Sequence, residues 1–371
     1  MLQESEQLMF LKKEYRLFMN RCKFFAGLLA LFLLLAVSSC TVPADSRPIQ
    51  QEKEMIVRRM PYGKSIDSFM GDWKGSGEAD DGEKFDFVAQ AIALGDGKYR
   101  VLALEEFDTR KKPMHVLDGV LEGDKFVYTA DDGLYDGEGI LSGETFRAHY
   151  KGLVNGRFKM HRVERLSPTL GQQPPRGAVV LFDGSNFDQW RHPKKSGPVK
   201  WKLITGAMEV EPGAGSIITK KEFADIKLHL EFRTPFMPKA RGQKRGNSGV
   251  YLMGRYEVQI LDSYGLEGAD NECGGIYKVA APRVNMCAVP MQWQSYDIIF
   301  HSARFDSAGT KIKNARLTVL HNGVKIHDNT ELPRPTTAAL GKNESGTGPV
   351  FLQAHGNRVQ YRNIWLQELP Q

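Results

Sequence analysis

The 371-residue sequence predicts an all-β protein built from two domains. Three observations lead there. Short apolar-alternating runs recur along the chain between Gly, Asp and Asn turns, and no long stretch carries a helical period. Asn322-Gly323, Gly95-Asp96-Gly97 and Glu122-Gly123-Asp124 are hairpin turn signals. Ser167 to Arg176, SPTLGQQPPR, has two prolines in a row and no apolar periodicity. It marks a linker between residues 62–166 and 177–371.

The amino terminus is not part of either domain. Arg21 and Lys23 precede an apolar run from Phe24 to Val37, and Val37-Ser38-Ser39-Cys40 follows. A basic region, a short apolar core and small residues before a cysteine resemble a bacterial lipoprotein signal peptide. The run is too short for a confident membrane span. Residues 1–39 are therefore expected to be removed, with Met19 as an alternative start, and Cys40 becomes the lipidated first residue. This places the protein in the cell envelope, tethered to a membrane. Residues 40–61 are polar and mixed in charge, and read as a flexible tether. What remains is only mildly basic, with no Lys/Arg stripe interleaved with aromatics, so nucleic acid is excluded as a partner.

In residues 62–166 the runs Phe85–Ala89, Tyr99–Ala103, Gly119–Leu121, Lys125–Tyr128 and Gly139–Leu141 are candidate strands. Their even spacing predicts an antiparallel meander closing into a small barrel or sandwich. Gly71-Asp72-Trp73 resembles the Gly-x-Trp start of lipocalins. Asp131, Asp132 and Asp136 read as solvated turn acids. This domain is expected to be accessory.

Residues 177–371 carry about a dozen further strand runs, from Val179–Phe182 to Tyr361–Leu366, which predicts a two-sheet jelly roll. Its most informative stretch is Asn247 to Asp262, NSGVYLMGRYEVQILD. Val250, Leu252, Val258 and Ile260 form one apolar face. Asn247, Gly249, Tyr251, Glu257 and Gln259 fall on the other, with Met253-Gly254-Arg255 as the turn. A solvated edge strand would show the same alternation. An unbulged strand puts Asp262 opposite Glu257, and a β-bulge near Ile260 or Leu261 would return it to that face. The spacing Glu257-x-Gln259-x-x-Asp262 resembles the Glu-x-Asp-x-x-Glu signature of bulged jelly-roll glucanases, with Gln and Asp departing from it. In such retaining enzymes the two carboxylates stand about 5 Å apart.

Six segments then occur in order: LFDGSNFDQW, GNSGVYLMGRYEVQILDSYG, ECGGIYKVAAPRVNMC, WQSYDIIF, LTVLHNGVKIHD and FLQAHGNRVQYRNIWL. Together they resemble the 3-keto-disaccharide hydrolase domain family over residues 177–369. The resemblance implies a concanavalin A-like jelly roll and an exported enzyme acting on a carbohydrate substrate. It strengthens a functional role for His355, which shares a strand face with Gln353 and has the chemistry of a proton shuttle.

Glu257, Asp262 and His355 are thus the candidate acids and bases. Asn247, Tyr251, Arg255, Gln259 and Gln353 are candidate sugar-oxygen contacts, and Tyr277 and Trp293 candidate stacking rings. Cys273 and Cys287 are expected to pair in an oxidising compartment. A loop of about 15 residues would gain roughly 3 kcal/mol from the bridge. The bridge would brace Tyr277 and Lys278 beside the groove. Arg241 to Gly246, RGQKRG, reads as a flexible loop over the groove. No metal-ligand spacing stands out, and a divalent cation stays open as an enolate stabiliser. Three activities fit: elimination from a 3-keto glycoside, direct hydrolysis by a Glu257/Asp262 pair, and lectin-like binding without turnover.

The anchor is directly testable. Mass spectrometry of the membrane fraction is expected to show a mature chain that begins at a lipid-modified Cys40. An unmodified residue 40 refutes the leader assignment.

Overall fold

The computed structural model describes residues 52–61, 63, 65–194 and 197–370. Cys40, the leader before it and most of the expected tether lie outside the described residues.

The first domain holds β1 (Ile56–Arg59), β2 (Gly71–Ala79), β3 (Lys84–Gly95), β4 (Lys98–Leu104), β5 (His115–Glu122), β6 (Lys125–Ala130), β7 (Tyr135–Ser142), β8 (Thr145–Gly152) and β9 (Gly156–Leu166). From β2 to β9 each strand pairs antiparallel with the next, and β9 returns to pair with β2. The meander is therefore a closed barrel, which leaves those eight strands without a free edge. Its interior is packed with aromatic rings. Phe69 stands 4.8–5.4 Å from the rings of Trp73, Tyr99, Phe126 and Phe146. Glycines on the strands make the room: a Cβ on Gly139 would stand 2.4 Å from Phe146. Arg162 lies over Trp73, 4.6 Å from the ring centroid.

The expected tether is partly structural, which corrects its boundary. Ile56–Arg59 pairs with Val163–Leu166 of β9, along the edge beyond the point where β8 stops. IVRR does not alternate and all four residues are exposed, so its pattern does not mark it as a strand.

The second domain holds β10 (Val179–Phe182), β11 (Trp190–Arg191), β12 (Lys202–Ile204), β13 (Ala207–Glu209), β14 (Ile217–Thr219), β15 (Ile226–Arg233), β16 (Ser248–Leu252), β17 (Tyr256–Ile260), β18 (Gln294–His301), β19 (Arg304–Phe305), β20 (Lys311–Lys313), β21 (Ala315–His321), β22 (Val324–Leu332), β23 (Phe351–Leu352) and β24 (Gln360–Glu368). An eight-stranded sheet runs β12-β13-β24-β15-β18-β21-β22, with β10 also on β24. A five-stranded sheet runs β11-β14-β23-β16-β17. Alternate residues of both sheets meet in one core: Leu228, Leu230 and Phe232 from β15, and Val250, Val258 and Ile260 from the hairpin. This is the expected jelly roll. Among the described residues no helix is long and apolar enough to cross a membrane.

The segment Ser167–Gln172 is not a free linker. It straps the outer face of the eight-stranded sheet, where His229, Glu231 and Asp297 are buried. Thr169 Oγ1 donates to Asp297 Oδ2 at 2.8 Å, and the Gly171 amide donates to Glu231 Oε1 at 2.6 Å. Asn363 and Trp365 both donate to the Gln172 carbonyl. His229 Nδ1 sits 2.8 Å from Asp297 Oδ1. Buried charges need such partners, and the strap supplies several of them.

Trp73 is fully buried in the barrel, its ring 5.4 Å from that of Phe69. Trp73→Ala is expected to lower unfolding free energy by about 3–5 kcal/mol in a denaturant titration, the usual scale for a lost buried aromatic. A change below roughly 1 kcal/mol contradicts the packing described.

Candidate functional site

The site starts from the β16–β17 hairpin. Met253 (φ 55°) and Gly254 (φ 63°) both take left-handed backbone in its turn. A Cβ on Gly254 would stand 2.5 Å from Leu340 Cδ1. Pairing then runs unbroken from Leu252↔Tyr256 to Ser248↔Ile260. That register sends Val250 and Val258 into the core and sets Tyr251 opposite Glu257 and Gly249 opposite Gln259 on the other face. β23 extends the face: Phe351 lies opposite Tyr251, and the Gln353 amide donates to the Gly249 carbonyl at 2.9 Å.

This outer face is polar and nearly closed to solvent. Glu257 is 4% exposed, Gln259 and Asn247 3% each. Gln353 Nε2 donates to the Tyr251 hydroxyl at 3.0 Å, and Tyr251 in turn hydrogen-bonds Glu257. Gly249 makes room on this face for the Glu257 carboxylate. A Cβ there would meet Glu257 Oε1 at 2.5 Å. Burial pushes the Glu257 carboxyl up to about 7, against the smaller lowering effect of the Tyr251 hydrogen bond. Burial likewise pushes the Tyr251 phenol well up.

Three amide oxygens around Gly249, namely Asn247 Oδ1, Gln259 Oε1 and Gln353 Oε1, are buried without a hydrogen-bond partner among the described residues. Each is an acceptor. Together with Glu257 they form a wall that asks for hydroxyl donors and offers no cation.

Gln243 completes the wall, and the composition of its loop hid it. RGQKRG is not loose: Gly242–Lys244 forms a short 3-10 turn. Asn247 Nδ2 donates to the Gln243 carbonyl and to Oε1 at 2.9 and 3.0 Å, and Gln259 Nε2 reaches Oε1 at 3.4 Å. A glutamine between basic residues gives no periodic signal of its own.

Several other expected site residues lie elsewhere or are held by other partners. No bulge follows Gln259: β17 ends at Ile260, and the chain turns into the interior. Asp262 pairs there with buried Arg245, whose Nε is 3.3 Å from Oδ2 and donates to the Asp262 carbonyl at 2.8 Å. Burial raises its carboxyl to about 6, and Arg245 and the Tyr264 amide lower it. The expected Glu257/Asp262 pair on one face is therefore not formed. Arg255 is spent on the hairpin turn, donating to the Met253 and Asn343 carbonyls. Lys278 Nζ lies over Tyr277, 5.6 Å from the ring centroid, in the turn that follows Gly275, whose carbonyl accepts from the Gln259 amide at 2.9 Å. Trp293 belongs to the outer face of the other sheet, where Arg233 and Arg362 lie 4.6 and 4.2 Å from its centroid. It cannot stack on a sugar at Glu257.

His355 is exposed on the segment after β23. That segment borders the site, since the Asn247 amide donates to Asn357 Oδ1 at 2.7 Å. Cys273 and Cys287 do come together in the core, but as free thiols hydrogen-bonded to each other rather than the expected disulfide. The Tyr296 hydroxyl lies 3.2 Å from Cys273 Sγ and donates to the Gln259 carbonyl at 2.8 Å. Among the described residues no group of three or more His, Cys, Asp or Glu side chains is placed to hold a metal ion.

A jelly roll with a buried carboxylate on a face of amide acceptors suits a carbohydrate-directed, hydrolase-like enzyme, and the family match supplies that class. A family model described as the 3-keto-alpha-glucoside-1,2-lyase-like domain matches residues 177–367, just over half of the chain, and the chain belongs to that family. Among solved structures, a protein of Parabacteroides distasonis ATCC 8503 named provisionally as a glycosyl hydrolase is 36% identical. The match covers 53% of this chain and 85% of that one, with a TM-score of 0.49. A second protein of that organism, named in the same way, is 19% identical over 52% of this chain and 94% of its own, with a TM-score of 0.41. Comparison with curated proteins returns no match.

The raised Glu257 carboxyl has a signed consequence. Its protonated form is favoured in the folded state, so the stabilisation is complete below the ordinary value of about 4.5 and is lost as pH rises through about 7. The shift corresponds to roughly 3 kcal/mol. Wild type is expected to lose stability between about pH 4.5 and pH 7.5, and Glu257→Gln to show a flatter profile there. Parallel profiles, measured by chemical denaturation across that range, reject the assignment.

Proposed function

We propose that this protein is an exported, lipid-anchored enzyme that cleaves 3-keto-disaccharides or related glycosides by elimination followed by hydration. The observation that carries the reading is Glu257: a buried carboxylate with a value near neutrality, in the middle of a wall of unpaired acceptors. Family membership supplies the substrate class as the working expectation.

The chemistry runs as follows. A ketone at C3 acidifies the C2 hydrogen. Glu257, as carboxylate, takes that proton, and the electron pair passes into the enolate. Collapse of the enolate forms the C1–C2 double bond and expels the C1 oxygen substituent, which takes a proton from an acid. Water then adds to C1 of the enone, giving up a proton to the acid that had served the departing oxygen, and Glu257 returns a proton to C2. A base with a value close to the working pH is the efficient choice for both transfers. Tyr251 donates to Glu257 and orients it. Asn247, Gln259 and Gln353 accept from sugar hydroxyls, which gives their buried oxygens the partners they lack. His355, exposed at the border of the face, is the candidate donor to the departing oxygen. Asp262 has no part in the proton transfers, because its carboxylate is committed to Arg245. That also weighs against a retaining-type pair, which needs both carboxylates beside one bond.

A panel of disaccharides and their 3-keto derivatives, assayed with and without chelator, tests the reading. Turnover of a 3-keto glycoside is expected, with deuterium from solvent appearing at C2 of the product. Glu257→Gln is expected to lower turnover by about a hundredfold or more, the scale of a lost general base, with folding intact. Binding without turnover would point instead to a lectin-like module. Near-normal activity in Glu257→Gln would remove Glu257 from the mechanism.

A further inference from the structure

The barrel and the site are joined through one side chain. Tyr264 follows β17 in the second domain, yet it is fully buried in the apolar cluster built mainly by the barrel. Its hydroxyl donates to Asp72 Oδ1 on β2 at 2.8 Å. Asp72 also accepts from Gln90 Nε2 at 3.2 Å and lies 3.5 Å from Arg165 Nη1 on β9. Arg165 pairs in turn with Asp108. On the other side, the Tyr264 amide donates to Asp262 Oδ1 at 3.2 Å. Asp262 and Arg245 then hold each other, with the Asp262 amide donating to the Arg245 carbonyl at 3.0 Å and Arg245 Nε donating back at 2.8 Å.

Arg245 stands two residues before Asn247, and Asp262 three after Gln259. A continuous buried polar chain therefore runs from the barrel wall to both strand ends that carry the acceptor wall. A second contact acts on the loop that leads to Gln243. Phe236 packs against the barrel cluster, Arg241 Nη2 donates to the Leu94 carbonyl at 3.1 Å, and Lys239 Nζ lies 2.7 Å from Asp96 Oδ1. The last pair is exposed and holds little by itself. The buried chain is different, because a missing partner leaves charge without compensation.

We propose that the barrel is a positioning element of the site: Tyr264, held by Asp72, sets where Asp262 and Arg245 place the Gln243–Asn247–Gln259 wall beside Glu257. The inference rests on the catalytic reading of that wall, while the placement itself is independent of which reaction occurs there. Tyr264 is a positioning residue, since it hydrogen-bonds Asp72 and Asp262 and not Glu257.

Two variants of the full chain test it. Tyr264→Phe keeps the ring and removes only the hydroxyl, and Asp72→Asn keeps the size and removes the charge. Hydrogen exchange is read on peptides spanning 243–262, with the β21–β22 hairpin as the internal reference. Steady-state kinetics are read on a 3-keto disaccharide. Exchange within 243–262 is expected to quicken about tenfold while the reference stays unchanged. KM is expected to rise roughly tenfold with kcat within about twofold, because a displaced wall loses binding while Glu257 stays in place. Arg100→Ala, on the outer barrel wall where Arg100 pairs with Asp118, is expected to move neither measurement. Unchanged exchange in both variants overturns the proposal, and so does quickening spread evenly over the chain with kcat and KM unmoved. If wild type turns over no 3-keto glycoside, the catalytic reading fails, and exchange alone decides. Quickening confined to 243–262 then upholds the placement, and its absence overturns it.

Discussion

The architecture of the second domain depends on the period-two alternation of the β16–β17 hairpin. One face of that hairpin supplies Val250, Val258 and Ile260 to the core between the sheets. The other face carries Tyr251, Glu257 and Gln259. A slip of one residue would exchange the faces, burying a carboxylate among aliphatic side chains. The left-handed turn at Met253-Gly254 pins the register against that slip. Gly249 is the corresponding constraint on the polar side, because the Glu257 carboxylate occupies the space its side chain would need. Core packing and site geometry are thus set by the same backbone pairing.

Electrostatics divide the molecule's buried acids into two kinds. Glu231, Asp225 and Asp297 are compensated. Glu231 meets Arg362, His229 and the Gly171 amide, and its carboxyl falls to about 2 despite burial. Asp225 meets Arg304 and His301, with the same outcome. Glu257 meets only a phenol, and burial dominates. A carboxyl left near neutrality by desolvation costs stability and is useful for proton transfer. That contrast singles out Glu257 from the other acids of the sheet faces. Asp262 is intermediate: it has Arg245 beside it, and its carbonyl and amide serve the chain's exit from the strand.

Much of this was legible in the residues themselves. Alternation and turn residues located the strands of both domains, because each strand has one apolar face and needs tight turns. The same alternation separated Val250 and Val258 from Tyr251, Glu257 and Gln259. The six ordered segments identified the family, whose match covers nearly the whole second domain. What failed was local spacing used as geometry. Three residues from Gln259 to Asp262 allowed a bulge, and the chain instead left the sheet. Trp293 was named for its chemistry, and its strand parity puts it on the outer face of the other sheet. Two cysteines in a chain expected to be exported favoured a bridge, and the structure shows neighbouring thiols.

By itself, then, the sequence determined periodicity: strands, their inward and outward faces, the turns between them and the family they compose. These are properties of residues two to six positions apart, where backbone geometry leaves few choices. Only the tertiary structure decided which distant groups meet. Barrel closure, the strap of Ser167–Gln172 over His229 and Glu231, the Gln243 contact with Asn247 and Gln259, and the insertion of Tyr264 beside Asp72 all join residues far apart in the chain. Their partners are chosen by burial and hydrogen-bond satisfaction after the sheets have packed, and no local pattern encodes that choice.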